Sequence, residues 1–346
     1  MRLVTIRIER TKKRVVILVI GLLVFFLLHP ARSRAASTPT RVVIMPAGFS
    51  EREGVLVVAQ DQGFFRKRDL DVQLVYVRTG SVAMSALAAG GAHFFYGSAS
   101  GATLGAFAGG VHVMLVAGLI NKPTGAFVVV PEIKVPSDLT GKRVGVNSIG
   151  GGNWMFAILA LDHWGLDLKR DKISLRVIGN NSVLAQSMTK GIIDGATLSY
   201  TFASDLKRQG YRVLADLSTL GISYQGSGLW AQRGFLNQFP DIVEKVLMAL
   251  LEAIAFIQDP ANKAAVMRSL SHWLHLPKVE DAAEGYELMK SLYERRIYPN
   301  VEGVQNTIRL LGATNEKIRG LKAEDVIDDR IVKKLEQKGL FQPGSK

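Results

Sequence analysis

RVVIMPAGFSEREGVLVVAQDQG, residues 41–63, holds one complete α/β unit and sets how the rest of the chain is read. Arg41 to Met45 is a short apolar, β-branched run that reads as a strand, and Pro46-Ala47-Gly48-Phe49-Ser50 reads as a loop. Val55, Val58 and Ala59 then recur at helical spacing until Gly63 ends the helix. The plan repeats at once. Asp71 to Val77 alternates like a strand, Thr79-Gly80-Ser81 is a loop and Met84 to Ala89 a helix. Ala92 to Tyr96 is the next strand, and Gly97 to Ser100 turns into another helix of small residues. Strand, polar loop and helix in repetition predict an α/β fold with a mainly parallel sheet, because parallel neighbours need a crossover connection.

A second set of units follows the strand candidates Val111 to Ala117 and Ala126 to Val130. Arg143 to Asn147 reads as a strand, Ser148 to Asn153 as a loop, Trp154 to Trp164 as a helix, Ile173 to Ile178 as a strand, Val183 to Lys190 as a helix and Gly195 to Leu198 as a strand. The second block repeats the plan of the first, which predicts two similar lobes. Ser218 to Trp230 is glycine- and polar-rich and reads as the return across a hinge. From Phe239 onward the pattern is helical only. Asp241 to Gln258 carries Ile242, Val246, Leu250 and Ile254 in register, and further helices are expected near Asn262 to Trp273, Glu280 to Glu294 and Val301 to Leu311.

Outward to the N-terminus, residues 1–35 read as a targeting segment. Arg2, Arg7, Arg10, Lys12, Lys13 and Arg14 precede an uncharged run from Val15 to Leu28, and the small-residue stretch Ser33-Arg34-Ala35-Ala36 closes it. A spanning helix needs about 20 apolar residues, so this shorter run fits a secretory signal cleaved after Ala35 or Ala36, with an uncleaved anchor as the alternative. The segment holds eight Lys/Arg against one acid, so its removal takes the net charge from +13 to +6. No Lys/Arg cluster interleaved with aromatics occurs elsewhere, which speaks against a nucleic-acid partner.

The 346 residues, 48% hydrophobic and 21% charged, are enough for two domains with sizeable cores. The absence of cysteine excludes disulfides, thiolate metal sites, a cysteine nucleophile and a lipid-modified cysteine at a mature N-terminus. Catalytic patterns are thin. Gly97-Ser98-Ala99-Ser100-Gly101 has Ala99 where a nucleophile elbow needs serine, and Gly150-Gly151-Gly152 lacks both G-x-G-x-x-G spacing and a Gly-Lys-Ser/Thr ending. His272 and His275 stand three apart without an accompanying carboxylate motif. No catalytic residue, metal or cofactor is expected.

Five polar loops each stand at the carboxyl end of an expected strand, just ahead of a helix. They are Gly48-Phe49-Ser50, Thr79-Gly80-Ser81, Gly97 to Ser100, Ser148 to Asn153 and Gly179 to Ser182. In open α/β sheets that edge takes ligands, because helix N-termini present unpaired N–H groups and a partial positive charge. All five lack acids, histidines and arginines, so an anion is expected to be held by backbone N–H groups and hydroxyls. The candidate contacts are Phe49, Ser50, Thr79, Gly80, Ser81, Ser98, Ser100, Ser148, Gly150, Gly151, Asn153 and Asn180, with Trp154, Tyr200 and Tyr224 as aromatic lining and Asn121 at the first inter-lobe crossing.

Residues 54–65, GVLVVAQDQGFF, followed by Arg68-Asp69-Leu70-Asp71-Val72, resemble the opening of periplasmic substrate-binding proteins of ABC transporters. The branch is the one serving alkanesulfonate, taurine, nitrate and thiamine-pyrimidine precursors. Ala86-Leu87-Ala88-Ala89-Gly90, residues 138–146 (DLTGKRVGV) and residues 190–196 (KGIIDGA) support the resemblance, which runs over residues 41–260. Many members carry an acid where this chain has Gly91-Ala92-His93, and the cysteine-rich motif of pyrimidine-synthesising relatives is impossible here. The resemblance implies a two-lobed periplasmic-binding-protein fold of type II, two α/β lobes joined by two crossing hinge strands with extra C-terminal helices. Residues 37–124 plus 225–346 would form lobe 1, and 125–224 lobe 2. It further implies a periplasmic receptor that hands its solute to an inner-membrane ABC permease, but it does not give the ligand; a monomer that takes a small polar, sulfonate-like, anionic or aromatic solute is the expectation. An enzyme on the same fold, or a sensing module for a membrane signalling protein, is the alternative.

Overall fold

The computed structural model describes residues 38–46, 48–77 and 79–341, so the expected signal segment lies outside the described residues. Its strands are β1 (Thr40–Pro46), β2 (Leu70–Leu74), β3 (Phe94–Gly97), β4 (Val113–Ile120), β5 (Ala126–Val129), β6 (Arg143–Val146), β7 (Ser174–Val177), β8 (Gly195–Leu198), β9 (Arg212–Asp216) and β10 (Ser227–Gln232). The helices up to the return strand are α1 (Gly54–Asp61), α2 (Gly80–Ala88), α3 (Gly101–Ala108), α4 (Gly152–His163), α5 (Asn181–Thr189) and α6 (Tyr200–Arg208). After it come α7 (Arg233–Gln238), α8 (Pro240–Gln258), α9 (Lys263–Leu274), α10 (Ala283–Leu292), α11 (Val301–Gly312), α12 (Glu316–Arg319) and α13 (Arg330–Gln337).

The strands form two sheets of matching order, β2-β1-β3-β10-β4 and β7-β6-β8-β5-β9. In the first sheet β1 runs parallel to β2 and β3, while β10 is antiparallel to β3 and β4. The second copies this, with β6 parallel to β7 and β8, and β5 antiparallel to β8 and β9. The antiparallel member of each sheet is the strand that has just crossed from the other lobe. This is the two-lobed architecture.

β4 and β5 are buried at every residue and are apolar throughout, as strands covered on both faces must be. α8 turns Val243, Val246, Leu247, Leu250, Ile254 and Ile257 inward, at spacings of three and four, and Pro240 opens it in the first turn, where a missing N–H costs nothing. One hydrophobic cluster joins this face to α1, α9 and α10. A second runs from Trp230 and Phe95 in the first sheet through Tyr224 and Phe156 to Phe127 and Val144 in the second.

The structure adds helices that the sequence reading lacked, α7, α12 and α13 among them, and departs from it at two further places near the crossings. Tyr200–Arg208 and Arg212–Asp216 are a helix and a strand, although neither carries an apolar run long enough to announce it. The polar, glycine-rich return is in part a strand: Ser227–Gln232 lies between β3 and β4. Glycine is required there because a Cβ at Gly228 would stand 2.6 Å from the Ala117 carbonyl oxygen.

The two crossings are tied together. The Gln225 side chain, fully buried, donates to Ile120 O (3.1 Å) and Ser227 O (3.0 Å). Gly226 N–H donates to Ile120 O (2.8 Å), and Leu217 N–H to Gly125 O (2.9 Å). Asn300 clamps both, giving its side-chain N–H to Asn121 O (2.9 Å) and its backbone N–H to Gln225 Oε1 (2.8 Å).

Candidate functional site

Between the lobes lie two small adjoining pockets, which share Arg52 and Asn153 as walls. They open where the carboxyl ends of both sheets face each other, the edge at which helix N-termini point into the gap.

On one side the wall is the turn Glu51–Glu53 that leads into α1. Ser50 caps it, and Glu53 closes a capping box by accepting from Ser50 N (3.0 Å) and Ser50 Oγ (2.8 Å). Two buried tyrosines fix the turn from below. Tyr293 donates to Glu51 O (2.7 Å) and accepts from Val55 N (3.0 Å), and Tyr96 donates to Arg52 O (2.9 Å). The turn therefore presents three ionisable side chains on a rigid base.

Arg52 carries the unspent chemistry. Its side chain is 14% exposed, yet its polar contacts are long: 3.4 Å from Nε to Ser50 Oγ and 4.0 Å to Glu53 Oε1. It stacks on Phe156 at 5.1 Å, which holds the guanidinium plane without using its N–H groups. Facing it is the N-terminus of α4, whose cap residue Gly151 offers no side chain. A Cβ on Gly152 would lie 3.9 Å from Arg52 Nη1. A cation set against an uncapped helix N-terminus places two positive features together, and an anion between them satisfies both.

Glu53 is buried, and desolvation pushes its carboxyl above the ordinary range despite the pull of Arg52 and of the Ser50 hydrogen bonds. An acid raised in the folded state is penalised as pH climbs from its unfolded value through its folded one. Glu53→Gln is therefore expected to gain stability relative to the wild type as pH rises above the ordinary carboxylate range, because the glutamine never ionises. Paired denaturant titrations from that range upward check this; a difference that stays flat, or shrinks with rising pH, contradicts the burial argument.

The opposite wall comes from the second lobe. Asn153 is fixed by Thr197, donating to its carbonyl at 3.0 Å, while Thr197 Oγ1 donates to Asn153 O at 3.0 Å. Asn181 accepts from Ser199 N (3.1 Å), and Tyr200 donates to Asp216 Oδ1 (2.6 Å), with burial holding its phenol well above the usual range. The lobes touch directly. Thr201 donates from its N–H (3.0 Å) and its hydroxyl to Glu51 Oε1, Ala102 N–H donates to Gly150 O (3.2 Å), and Arg309 pairs with Asp162 (2.7 Å).

Of the residues expected from sequence, Ser50, Gly80, Ser98, Ser100, Gly151, Asn153 and Tyr200 line these cavities. The others stand elsewhere. Phe49 packs against Trp273 and His275, with ring centroids 5.1 and 5.5 Å away. Thr79 caps α2 and Ser81 is exposed. Asn121 belongs to the crossing clamp, and Asn180 caps α5 while exposed. Ser148 gives its N–H to Asn147, the residue that lines the cavity in its place. Gly150 forms the direct inter-lobe contact, Trp154 packs on core, and Tyr224 is fully buried beneath the cleft, donating to Ala99 O (2.7 Å). In most of these cases a cap or packing partner takes the group that the loop position suggested for a ligand.

The five loops hold no arginine, but Arg52 just past the first of them does wall the pockets, and Glu51 and Glu53 add acids. These lie one to three positions past the first polar loop. The missed signal is a charged triplet, Glu51-Arg52-Glu53, directly ahead of the uncharged helix stretch Gly54 to Ala59.

No helix among the described residues is long and apolar enough to cross a membrane, and no group of three metal-ligating side chains occurs among them. A search of the curated proteins finds no match. Among solved structures, the chain resembles the periplasmic aliphatic sulphonate binding protein SsuA from Escherichia coli, with 20% identity, TM-score 0.69, and 84% and 92% of the two chains covered. The alkanesulfonate-binding SsuA from Xanthomonas axonopodis pv. citri, bound to MOPS, gives 18%, 0.67, 85% and 100%. The periplasmic nitrate-binding protein NrtA from Synechocystis PCC 6803 gives 14%, 0.70, 86% and 89%. These likenesses establish the periplasmic-binding-protein fold. The model of the NMT1/THI5-like family matches residues 53–263, and the chain belongs to that family.

Proposed function

We propose that this chain is the solute-binding receptor of an ABC importer, and that it captures a small organic molecule bearing one anionic group between its lobes. The observation that carries this is Arg52, whose guanidinium is nearly buried, stacked on Phe156 and short of close acceptors, opposite the uncapped N-terminus of α4. The solved relatives are named for sulfonate and nitrate binding, which agrees in charge. In this reading residues 37–124 plus 225–346 and residues 125–224 move as two bodies about the paired crossings, and residues 1–35 direct export. The receptor works as a monomer beside an inner-membrane permease and returns its solute unchanged.

A thermal-shift screen of the protein lacking residues 1–35 tests the reading, using alkanesulfonates, nitrate, carboxylates, pyrimidines and amino acids. A ligand at about 100 times its dissociation constant stabilises by roughly 2.7 kcal/mol, which a melting curve resolves. A saturable shift confined to singly charged anions, with the compound recovered intact, is expected. A shift only with cations or neutral compounds, or consumption of the compound, overturns it.

A further inference from the structure

One buried acid in the cleft plays no part in the anion capture just described. Glu51 is 1% exposed and belongs to the first lobe, yet both of its hydrogen bonds at Oε1 come from Thr201 in the second. Thr201 is in the first turn of α6, a nine-residue helix. That helix has no cap of its own. Its N-cap residue Ser199 makes no side-chain capping bond, and Ser199 Oγ is buried without a partner. The carboxylate reaching over from the other lobe therefore serves as the cap. It is wedged in place, since a Cβ on Gly285 of α10 would lie 3.3 Å from Glu51 Cγ.

We propose that Glu51 is a built-in anion that fills the α6 end of the cleft, so that the site accepts one anionic group, at Arg52, and rejects a second. Arg52 and Glu51 wall the same pocket, with Ser199 and Tyr200. The N-terminus of α4 is left open for the solute, whereas the N-terminus of α6 is already satisfied. A solute with two acidic groups would bring its second charge against Glu51, and like charges in a dry cleft strongly disfavour the complex. The same contact bridges the lobes, so Glu51 is a positioning residue for closure as well as a selector.

The inference rests on the capture of a single anionic group, and the experiment separates the two. Ethanesulfonate and 1,2-ethanedisulfonate are titrated into wild type, Glu51→Gln and Glu51→Ala. The wild type is expected to favour the monosulfonate by tenfold or more, and both variants to narrow that preference, through a gain for the disulfonate. Sodium formate is then added to each unliganded protein, with sodium chloride at equal ionic strength as control. Formate is expected to raise the melting temperature of Glu51→Ala saturably and to restore its small-angle scattering radius to the wild-type value, leaving the wild type unmoved. Glu51→Gln, nearly isosteric, keeps the test available if the alanine variant fails to fold. Unchanged discrimination in Glu51→Gln, or formate acting equally on wild type and Glu51→Ala, overturns the role of Glu51. If the wild type binds neither sulfonate, capture of these anions fails by itself, while the formate comparison still decides on Glu51.

Discussion

Arg52→Ala is expected to weaken capture of a singly charged anion by roughly 30- to 1000-fold, about 2–4 kcal/mol, the usual cost of deleting one partner of a desolvated charge pair. The unliganded protein should lose far less. Among the described residues the guanidinium makes no close charged contact, only the 4.0 Å approach to Glu53, the 3.4 Å approach to Ser50 and the stack on Phe156. A stack of this kind contributes about 0.5–2 kcal/mol. The backbone of the turn does not depend on the side chain, because Tyr96 and Tyr293 hold it through carbonyl oxygens. Arg52→Lys separates charge from geometry: it keeps a cation but lacks the planar fork, so it should recover only part of the lost affinity. Calorimetric titration together with melting curves reads both effects. Unchanged affinity for every anion that the wild type binds would remove Arg52 from the site, and an equal loss of affinity and of stability would make its role structural.

What could be read from the sequence follows from where each signal was written. β8 was expected at Gly195 to Leu198 and is found there, and α8 was expected within one residue of its start, since both are set by runs of buried side chains in a single element. The doubled plan was legible for the same reason, as both sheets repeat parallel strand and helix units beside one antiparallel crossing strand. α6 and β9 escaped because their faces are mixed: Ala203 and Leu206 are the buried residues of α6, and β9 has none that is fully buried. The polar loops marked the correct edge of each sheet. Which loop residues face the cavity depends on capping choices that only the assembled lobes decide. Ser50 caps its own turn and still lines the cleft, whereas Asn180 caps α5 and faces outward. The charged triplet was hardest to read. A solvated charge run and a buried one look the same in a sequence, and Glu51 and Glu53 are buried only because Ser50, Thr201 and the two tyrosines surround them.

Gly125→Ala is expected to destabilise the protein by roughly 2–4 kcal/mol and to lower its melting temperature by several degrees, the larger part coming from a clash that cannot relax. Gly125 ends the first crossing with φ +92°, a conformation that L side chains rarely adopt. A Cβ there would stand 2.3 Å from the Leu198 carbonyl oxygen, a backbone atom at the end of the central strand β8. Neither partner is free to give way, because Gly125 O accepts from Leu217 N–H in the returning crossing and Ala126 is registered against Leu198. Gly125 also lines the cavity that holds Arg52, Asn181 and Tyr200, so a shift of its backbone displaces the second lobe's wall from the first. Loss of stability and loss of affinity are therefore expected together. Gly221→Ala supplies the comparison: it shares the left-handed conformation, with φ +68°, but has open space around its Cβ position. That variant should lose only about 1 kcal/mol of conformational strain and keep its affinity. If the two glycines prove equally tolerant of alanine, the crossing is looser than the packing at Leu198 requires, and closure would have to pivot elsewhere along residues 121–125.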